Sequence, residues 1–443
     1  MKKKINHILP ALVLTASLGL TTVSCNGFLD EMPDNRTELN TDQKIAKLLV
    51  SAYADVSPNE LFELYSDNSD DSGPTYGYYK LSEQECYHWQ DTKEEYQDTP
   101  NSLWGGYYSA IAAANMALNA IEEKGNPASL DPQRGEALVC RAYCHFMLAN
   151  IFCNAYDTHA SQSLGVPYME EVETTVSPRY ERGTLEEVYR KVERDLLEGI
   201  DLISDDSYSV PKYHFTRKAA YAFAARFYLY YMKPDFSNCD RVIDFATRVL
   251  GTNPADLLRN WEALGNLSVN GNVQADAYIA SSNEANLLIS STVSNWGAIG
   301  SDYLIGPRYF HNQTLATSET CLSSGLWGSS DYFYLKPFST NGFVASILRK
   351  SGLYEGTYLY YMPVLFSTDE TLLCRAEAYA LKKMYAQSAA DITSWQRAYT
   401  RNKSVLTPEQ INTYYDRMSF YTPFTQQTPK KKLAPDFMIE EGM

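Results

Sequence analysis

The acidic stretch "SDNSDDSG", residues 66–73, places carboxylate and hydroxyl side chains at short, regular spacing. Asp67 and Asp71 stand on either side of a serine, and such oxygen atoms are the ligands that calcium prefers. An EF-hand loop starting at Asp67 would also need a glycine at its sixth position and a glutamate at its twelfth, where Ser72 and Tyr78 stand. We therefore predict a solvated acidic loop, with calcium binding by Asp67 and Asp71 as the alternative.

Aromatic side chains are concentrated in two segments that lack helical periodicity. Residues 72–89 hold five aromatics in eighteen positions, about twice the 13% share of the whole chain, together with two glycines and one proline. Residues 282–343 hold six glycines, two prolines and further aromatics. Aromatic faces on loops suit the C–H faces of sugar rings, although packing onto neighbouring helices is the alternative. The candidate ligand-binding residues are Tyr76, Tyr78, Tyr79, Trp89, Trp296, Tyr303, Trp327 and Tyr332.

Sequence patterns of known catalytic centres are missing. The chain contains no HExxH, GxSxG, Walker A or GxGxxG motif, and its histidines are few and scattered. Asp and Glu residues are plentiful, but the sequence does not identify any two of them as the catalytic pair of a glycosidase. The sequence therefore favours a binding protein without a catalytic residue or cofactor, and a surface glycoside hydrolase is the alternative from another class.

Amphipathic helices must position these loops. We predict helices over 40–56, with Thr41 or Asp42 as its cap, over 102–123, and from Pro132 to 156. A fourth covers 184–203, where Thr184 and Glu187 stand in capping-box register. Trp104 and the three cysteines at 140, 144 and 153 lie among apolar residues at helical spacing, so we expect them in the core.

Three stretches resemble one another, starting at Arg141, Ala224 and Leu372. Each puts small residues beside aromatics at helical spacing, and the last two continue into a second helix. This is the packing pattern of tetratricopeptide repeats, although the spacing here is uneven. We predict a mainly all-α, tetratricopeptide-like scaffold with long irregular ligand-binding loops. An ordinary helical domain with alanine-rich contacts is the alternative.

The N-terminus reads as a secretory signal over residues 1–24, with three lysines followed by an apolar run that is short for a membrane span. Cys25 follows Val23 and Ser24, a pattern that resembles the lipobox of bacterial lipoproteins. We expect Cys25 to be the acylated first residue of the mature protein, residues 25–40 to be its tether, and ordinary secretion to be the alternative. Removing three lysines changes the net charge from −16 to −19, which argues against nucleic acid as a partner.

Several blocks together resemble the SusD/RagB-type lipoproteins of Bacteroidetes. They are "CNGFLDEMP", "SAYADV", "WGGYYSAIAAANMALNAI", "GEALVCRAYCHFML", "LGVPY", "TLEEVYRKVERDLLEGI" and "DETLLCRAEAYAL". The blocks follow the family's order from residue 25 to about 400. The resemblance implies one helical domain over 41–443, with the loop-rich insertion at about 282–343.

The resemblance also implies a function. Family members are not enzymes: they are lipid-anchored proteins on the outer face of the outer membrane, where they cover a SusC-like TonB-dependent transporter and pass it oligosaccharides or, in some members, peptides. The helices would contact the transporter and the loops would bind the ligand. No motif of the family identifies a particular ligand-binding residue in this sequence. A purely structural lid is a third hypothesis. Members usually continue beyond a stretch like "KKKLAPDFMIEEGM", so the end at Met443 leads us to expect a truncation or a lost closing segment.

Overall fold

A computed structural model describes residues 39–66, 69–71, 73–74, 80–175, 178–268, 273–296, 308–310, 326, 332–334, 338–339, 342–343 and 360–416. The predicted signal and Cys25 lie outside these ranges, as do residues 417–443. The described part of the chain is mainly helical, as predicted. Its α-helices are α1 Asp42–Leu48, α2 Asn59–Leu64, α3 Leu81–Tyr87, α4 Pro100–Glu123, α5 Asp131–Phe152, α6 Leu185–Leu202, α7 Arg217–Tyr230, α8 Asn238–Leu250, α9 Trp261–Gly265, α10 Val273–Tyr278, α11 Thr368–Leu381, α12 Tyr385–Tyr399 and α13 Pro408–Tyr415.

The first helix is shorter than predicted. Thr41 caps α1 by accepting a hydrogen bond from the Lys44 backbone N–H at 3.3 Å, as one of the two predicted caps. The helix then tightens into a 3₁₀ turn over Leu49–Ala52, and Tyr53 leaves the helical conformation. The Tyr53 hydroxyl donates to the buried Glu136 carboxylate at 2.6 Å, so a tertiary contact replaces the last predicted turns.

Three long helices, α4, α5 and α6, pack side by side in sequence order. Two glycines let α5 and α6 approach closely, because a Cβ at Gly199 would lie 2.8 Å from the Gly135 carbonyl oxygen and 2.6 Å from a Val139 methyl. The predicted capping box at the start of α6 is confirmed, since Thr184 and Glu187 exchange side-chain hydrogen bonds with each other's backbone N–H groups.

The two predicted helix pairs are confirmed as α7 with α8 and α11 with α12. Small residues face the contacts, and α11 also packs against α8. Arg375 of α11 donates to both carboxylate oxygens of Asp391 in α12, at 2.8 and 2.9 Å. This buried, bidentate ion pair fixes how the last pair of helices packs together.

Short antiparallel strands join the helices. The strands are β1 Asp70–Asp71, β2 Asn286–Ile289, β3 Thr292–Val293, β4 Tyr309–Phe310, β5 Phe338–Ser339, β6 Gly342–Phe343, β7 Tyr360–Tyr361 and β8 Val364–Ser367. They pair as β1 with β4, β2 with β8, β3 with β7 and β5 with β6. The predicted irregular segment 282–343 therefore begins with ordered strands, because the run over β2 is buried on both faces and pairs with β8.

Two predictions about the core need correction. Trp104 is 38% exposed, because it lies on the outer side of α4 and contacts Tyr108 and Phe152 at the surface. Cys153 is only half-buried, since it follows the last residue of α5, whereas Cys140 and Cys144 are buried as predicted. The described cysteines are all free thiols.

Candidate functional site

Trp89 lies in the turn that ends α3, in a backbone conformation that glycine normally adopts. Its φ is +56°, and its N–H donates to the Cys86 carbonyl at 2.9 Å. The next N–H, of Gln90, donates to the Glu85 carbonyl at 2.8 Å, which completes a Schellman motif. Left-handed backbone conformations disfavour bulky side chains, so the tryptophan occupies this place at the expense of stability.

The Trp89 side chain is 72% exposed and stacks on Tyr65, the residue that ends α2. The ring centroids are 4.4 Å apart and the planes are inclined by 13°. Burial, with smaller contributions from Cys86 and Asp91, raises the pKa of Tyr65 to about 12. The phenol is therefore neutral at physiological pH, and Trp89 and Tyr65, which we call the aromatic pair, present a broad uncharged face to solvent.

An ion pair joins the acidic stretch 66–73 to the second aromatic segment of the sequence. Arg308 donates to both carboxylate oxygens of Asp71, at 2.7 and 2.8 Å, across the pairing of β1 with β4. These hydrogen bonds hold the pKa of Asp71 below its ordinary value. On β4, Tyr309 packs against Tyr87 of α3 with ring centroids 4.7 Å apart. Segment 308–310 thus lies against the helix that carries Trp89.

The predicted solvated loop is therefore wrong at Asp71, which is buried in a strand by its arginine partner. That pairing accounts for Asp71 without calcium, and the described residues contain no group of three or more His, Cys, Asp or Glu side chains suited to a metal ion. Asp67, the other calcium candidate, lies outside the described residues.

Two buried carboxyl groups lie near each other in the same region of the fold. Glu60 of α2 and Asp98, just before α4, are close enough for each to influence the pKa of the other. Burial raises the pKa of Glu60 well above its ordinary value and also raises the pKa of Asp98. Lys80 Nζ lies 4.0 Å from Glu60, and Asp98 accepts the Asn295 backbone N–H at 2.7 Å. This cluster ties α2 to the segment beside β3.

The other sequence candidates have different positions. Trp296 is 5% exposed and its indole is hydrogen-bonded to Tyr361, so in this structure it packs inside rather than facing a ligand. Tyr332 is exposed, but it lies in the segment that pairs with the end of α12. The five remaining aromatic candidates lie outside the described residues: Tyr76, Tyr78, Tyr79, Tyr303 and Trp327.

Sequence reasoning missed Tyr65 and Tyr309. Tyr65 directly precedes the acidic stretch and follows a short apolar run, so its position on α2 resembles an ordinary core residue. Tyr309 is more than two hundred positions away from Tyr87, its stacking partner. Sequence spacing carries no signal for such contacts, since they form only when separate elements pack.

Comparison with known proteins bears on the family and the fold. The family model described as SusD-like, "Starch-binding associating with outer membrane", matches residues 27–229. No match is found among curated protein sequences. Among solved structures, a SusD superfamily protein from Bacteroides fragilis is similar with a TM-score of 0.61 at 15% identity, over 84% of this chain and 83% of that one.

Two further structures share the fold. A SusD-like carbohydrate binding protein from Bacteroides vulgatus has a TM-score of 0.60 at 14% identity, over 84% of this chain and 79% of that one. Surface glycan-binding protein A from Bacteroides uniformis has a TM-score of 0.58 at 13% identity, over 85% and 84%. Within the described residues, no helix combines the length and apolar character needed to cross a bilayer. The chain is thus similar to the SusD-like family over residues 27–229, and it shares the fold of SusD superfamily structures over most of its length.

Proposed function

We propose that the protein is a lipid-anchored binding protein of the outer membrane, facing the cell exterior, that holds oligosaccharides on the aromatic pair and delivers them to a SusC-like TonB-dependent transporter. The observation that carries this proposal is Trp89. It occupies a glycine-favouring position at the end of α3 and leaves most of its side chain in solvent. A role in binding accounts for a tryptophan whose backbone is unfavourable and whose burial is small.

The shape and polarity of the aromatic pair suit a sugar ring. A pyranose presents a flat C–H face that stacks on an indole and a rim of hydroxyl groups that needs hydrogen-bonding partners. Asp91, two residues after Trp89, contributes to the raised pKa of Tyr65, and it is the carboxylate that we expect to accept hydrogen bonds from sugar hydroxyls. The names of two structural neighbours, a carbohydrate binding protein and a glycan-binding protein, support the same ligand class.

Binding rather than catalysis is the role that these carboxylates support. Arg308 holds both oxygen atoms of Asp71, and Glu60 and Asp98 are buried. These three groups maintain the fold of the surface instead of facing a ligand. A hydrolase would release reducing sugar from the polysaccharide that it retains, and we expect no such release.

The binding proposal is tested by retention of the mature protein on a panel of polysaccharides in native affinity gels and on glycan arrays, with a peptide library as a parallel arm. We expect Trp89→Ala to abolish retention. Trp104→Ala is the matched control, because Trp104 is also exposed but lies on α4, among other aromatic partners. Equal retention of the two variants, or binding only to peptides, would contradict the proposal.

The anchor and the partner are tested separately. Cys25→Ala should release the protein from membranes into the soluble fraction, because acyl chains hold a protein only when they are attached. A protein that stays membrane-bound after this change would refute the lipid anchor. Purification of the acylated protein in mild detergent should co-purify a TonB-dependent transporter, and its absence under conditions that preserve other outer-membrane complexes would count against delivery.

A further inference from the structure

A cavity of about 440 Å³ adjoins helix α2, the same helix that ends at Tyr65. Its walls come from α2, α5, α7 and the strand segments around 290–292 and 361–365. Small-molecule sites typically occupy about 300–1,000 Å³. The cavity is therefore large enough for a small ligand but too small for a polysaccharide chain.

Aromatic side chains mark its entrance. Phe62 and Tyr230, which line the cavity, are both exposed and so lie where it meets solvent. Phe62 precedes Tyr65 by three residues, and residues at that spacing are neighbours on one face of a helix. The helix that carries Tyr65, on which Trp89 stacks, thus also supplies the aromatic side chain of Phe62 to the cavity wall.

The inner wall carries polar groups that the protein leaves available. Tyr107 is 1% exposed, and neither its hydroxyl nor that of Tyr278 forms a hydrogen bond within the part of the chain that the structure describes. A buried hydroxyl without a partner is unfavourable unless a ligand or water completes it. Arg226 donates to both Glu370 oxygens, at 2.5 and 2.7 Å, so these wall charges neutralise each other.

We propose that the cavity binds one neutral sugar ring, the terminal residue of a glycan whose following residues lie on the aromatic pair. Aromatic faces at the entrance, hydroxyl groups inside and a neutralised ion pair in the wall match a ring with one apolar face and many hydroxyls. This inference rests on the proposed function. It makes the protein a receptor for chain ends rather than for internal segments of a polysaccharide.

The test uses the mature protein in detergent and six free sugars: D-glucose, D-galactose, D-mannose, D-xylose, L-arabinose and L-fucose. Saturation-transfer NMR and calorimetry should detect binding of at least one sugar. Tyr107→Phe should weaken that binding about three- to tenfold, the worth of one hydrogen bond, without lowering the melting temperature, because the hydroxyl has no partner in the free protein. Tyr230→Ala should weaken it by removing the stacking face.

Trp89→Ala separates this inference from the proposed function. If the cavity binds a terminal ring, Trp89→Ala should leave monosaccharide affinity unchanged while polysaccharide retention is lost. The cavity proposal is overturned if none of the six sugars binds, or if Tyr107→Phe and Tyr230→Ala both bind the sugar with unchanged affinity. Either result stands even when polysaccharide retention depends on Trp89. Monosaccharide binding that needs Tyr107, together with polysaccharide retention indifferent to Trp89, instead overturns the role of the aromatic pair.

Discussion

Replacing Trp89 by glycine should abolish ligand binding with little change in stability. The stack on Tyr65 contributes about 0.5–1.5 kcal/mol, as aromatic pairs do beyond their buried area. The left-handed conformation at φ +56° disfavours a side-chain-bearing residue by about 1–2 kcal/mol, and glycine removes that penalty. The two effects have opposite signs, so the free energy of unfolding of Trp89→Gly should lie within about 1 kcal/mol of the wild type.

Alanine is the matched variant, because it loses the stack but keeps a Cβ in the left-handed conformation. Trp89→Ala should therefore be less stable than Trp89→Gly by about 1 kcal/mol. Urea unfolding followed by circular dichroism measures both variants, and affinity gels measure their ligand retention. An alanine variant as stable as the glycine variant would refute the reasoning about the helix end, and a glycine variant that still binds glycan would refute the role of Trp89.

Three further predictions concern the surrounding structure. The pKa of Glu60 is raised in the folded protein, so the folded state binds a proton more tightly than the unfolded state, and the free energy of unfolding should fall as pH rises from about 4.5 toward that raised pKa. Melting temperatures measured across this pH range should fall less in Glu60→Gln than in the wild type. The same dependence of melting temperature on pH in both proteins would contradict this prediction. Asp71→Asn should lower the free energy of unfolding by about 1–3 kcal/mol, because it weakens the pairing with Arg308. Added calcium should not shift the melting temperature of the wild type. A calcium-dependent shift that disappears in Asp71→Asn would instead support calcium binding. Gly199→Ala should destabilise by about 1–3 kcal/mol in urea unfolding because its Cβ would overlap α5, while Gly105→Ala, with open space around its Cβ, should be neutral or stabilising; equal effects would refute the close packing.

The likeness to solved SusD-type structures extends over more than four fifths of the chain, at identities near 15%. The fold is thus maintained by features that tolerate wide sequence change. In this chain, close glycine contacts between α5 and α6 and the buried ion pair of Arg375 with Asp391 hold helices together. Trp89 is exposed and carries no such packing constraint, and we therefore expect the proposed ligand specificity to depend on positions like it rather than on the scaffold.

Local sequence determined the helical scaffold. The capping residues Thr41, Thr184 and Glu187 and the alternation of small and aromatic residues act within a few positions of each other, so local patterns predicted four long helical segments and two helix pairs. Local patterns also predicted a secretory signal over residues 1–24 followed by Cys25, and that prediction awaits its membrane test. Helix ends were less predictable, because contacts such as that of Tyr53 with Glu136 override local preference.

Only the tertiary structure decided which aromatic residues face solvent. From their sequence neighbours, Trp296 was predicted to face a ligand from a loop and Trp104 to lie in the core, yet Trp296 is buried and Trp104 is exposed on α4. Trp89 acquires its partner Tyr65 because the two short helices α2 and α3 pack against each other. Exposure and stacking depend on elements that are distant along the chain, and composition or spacing within one segment carries no information about them.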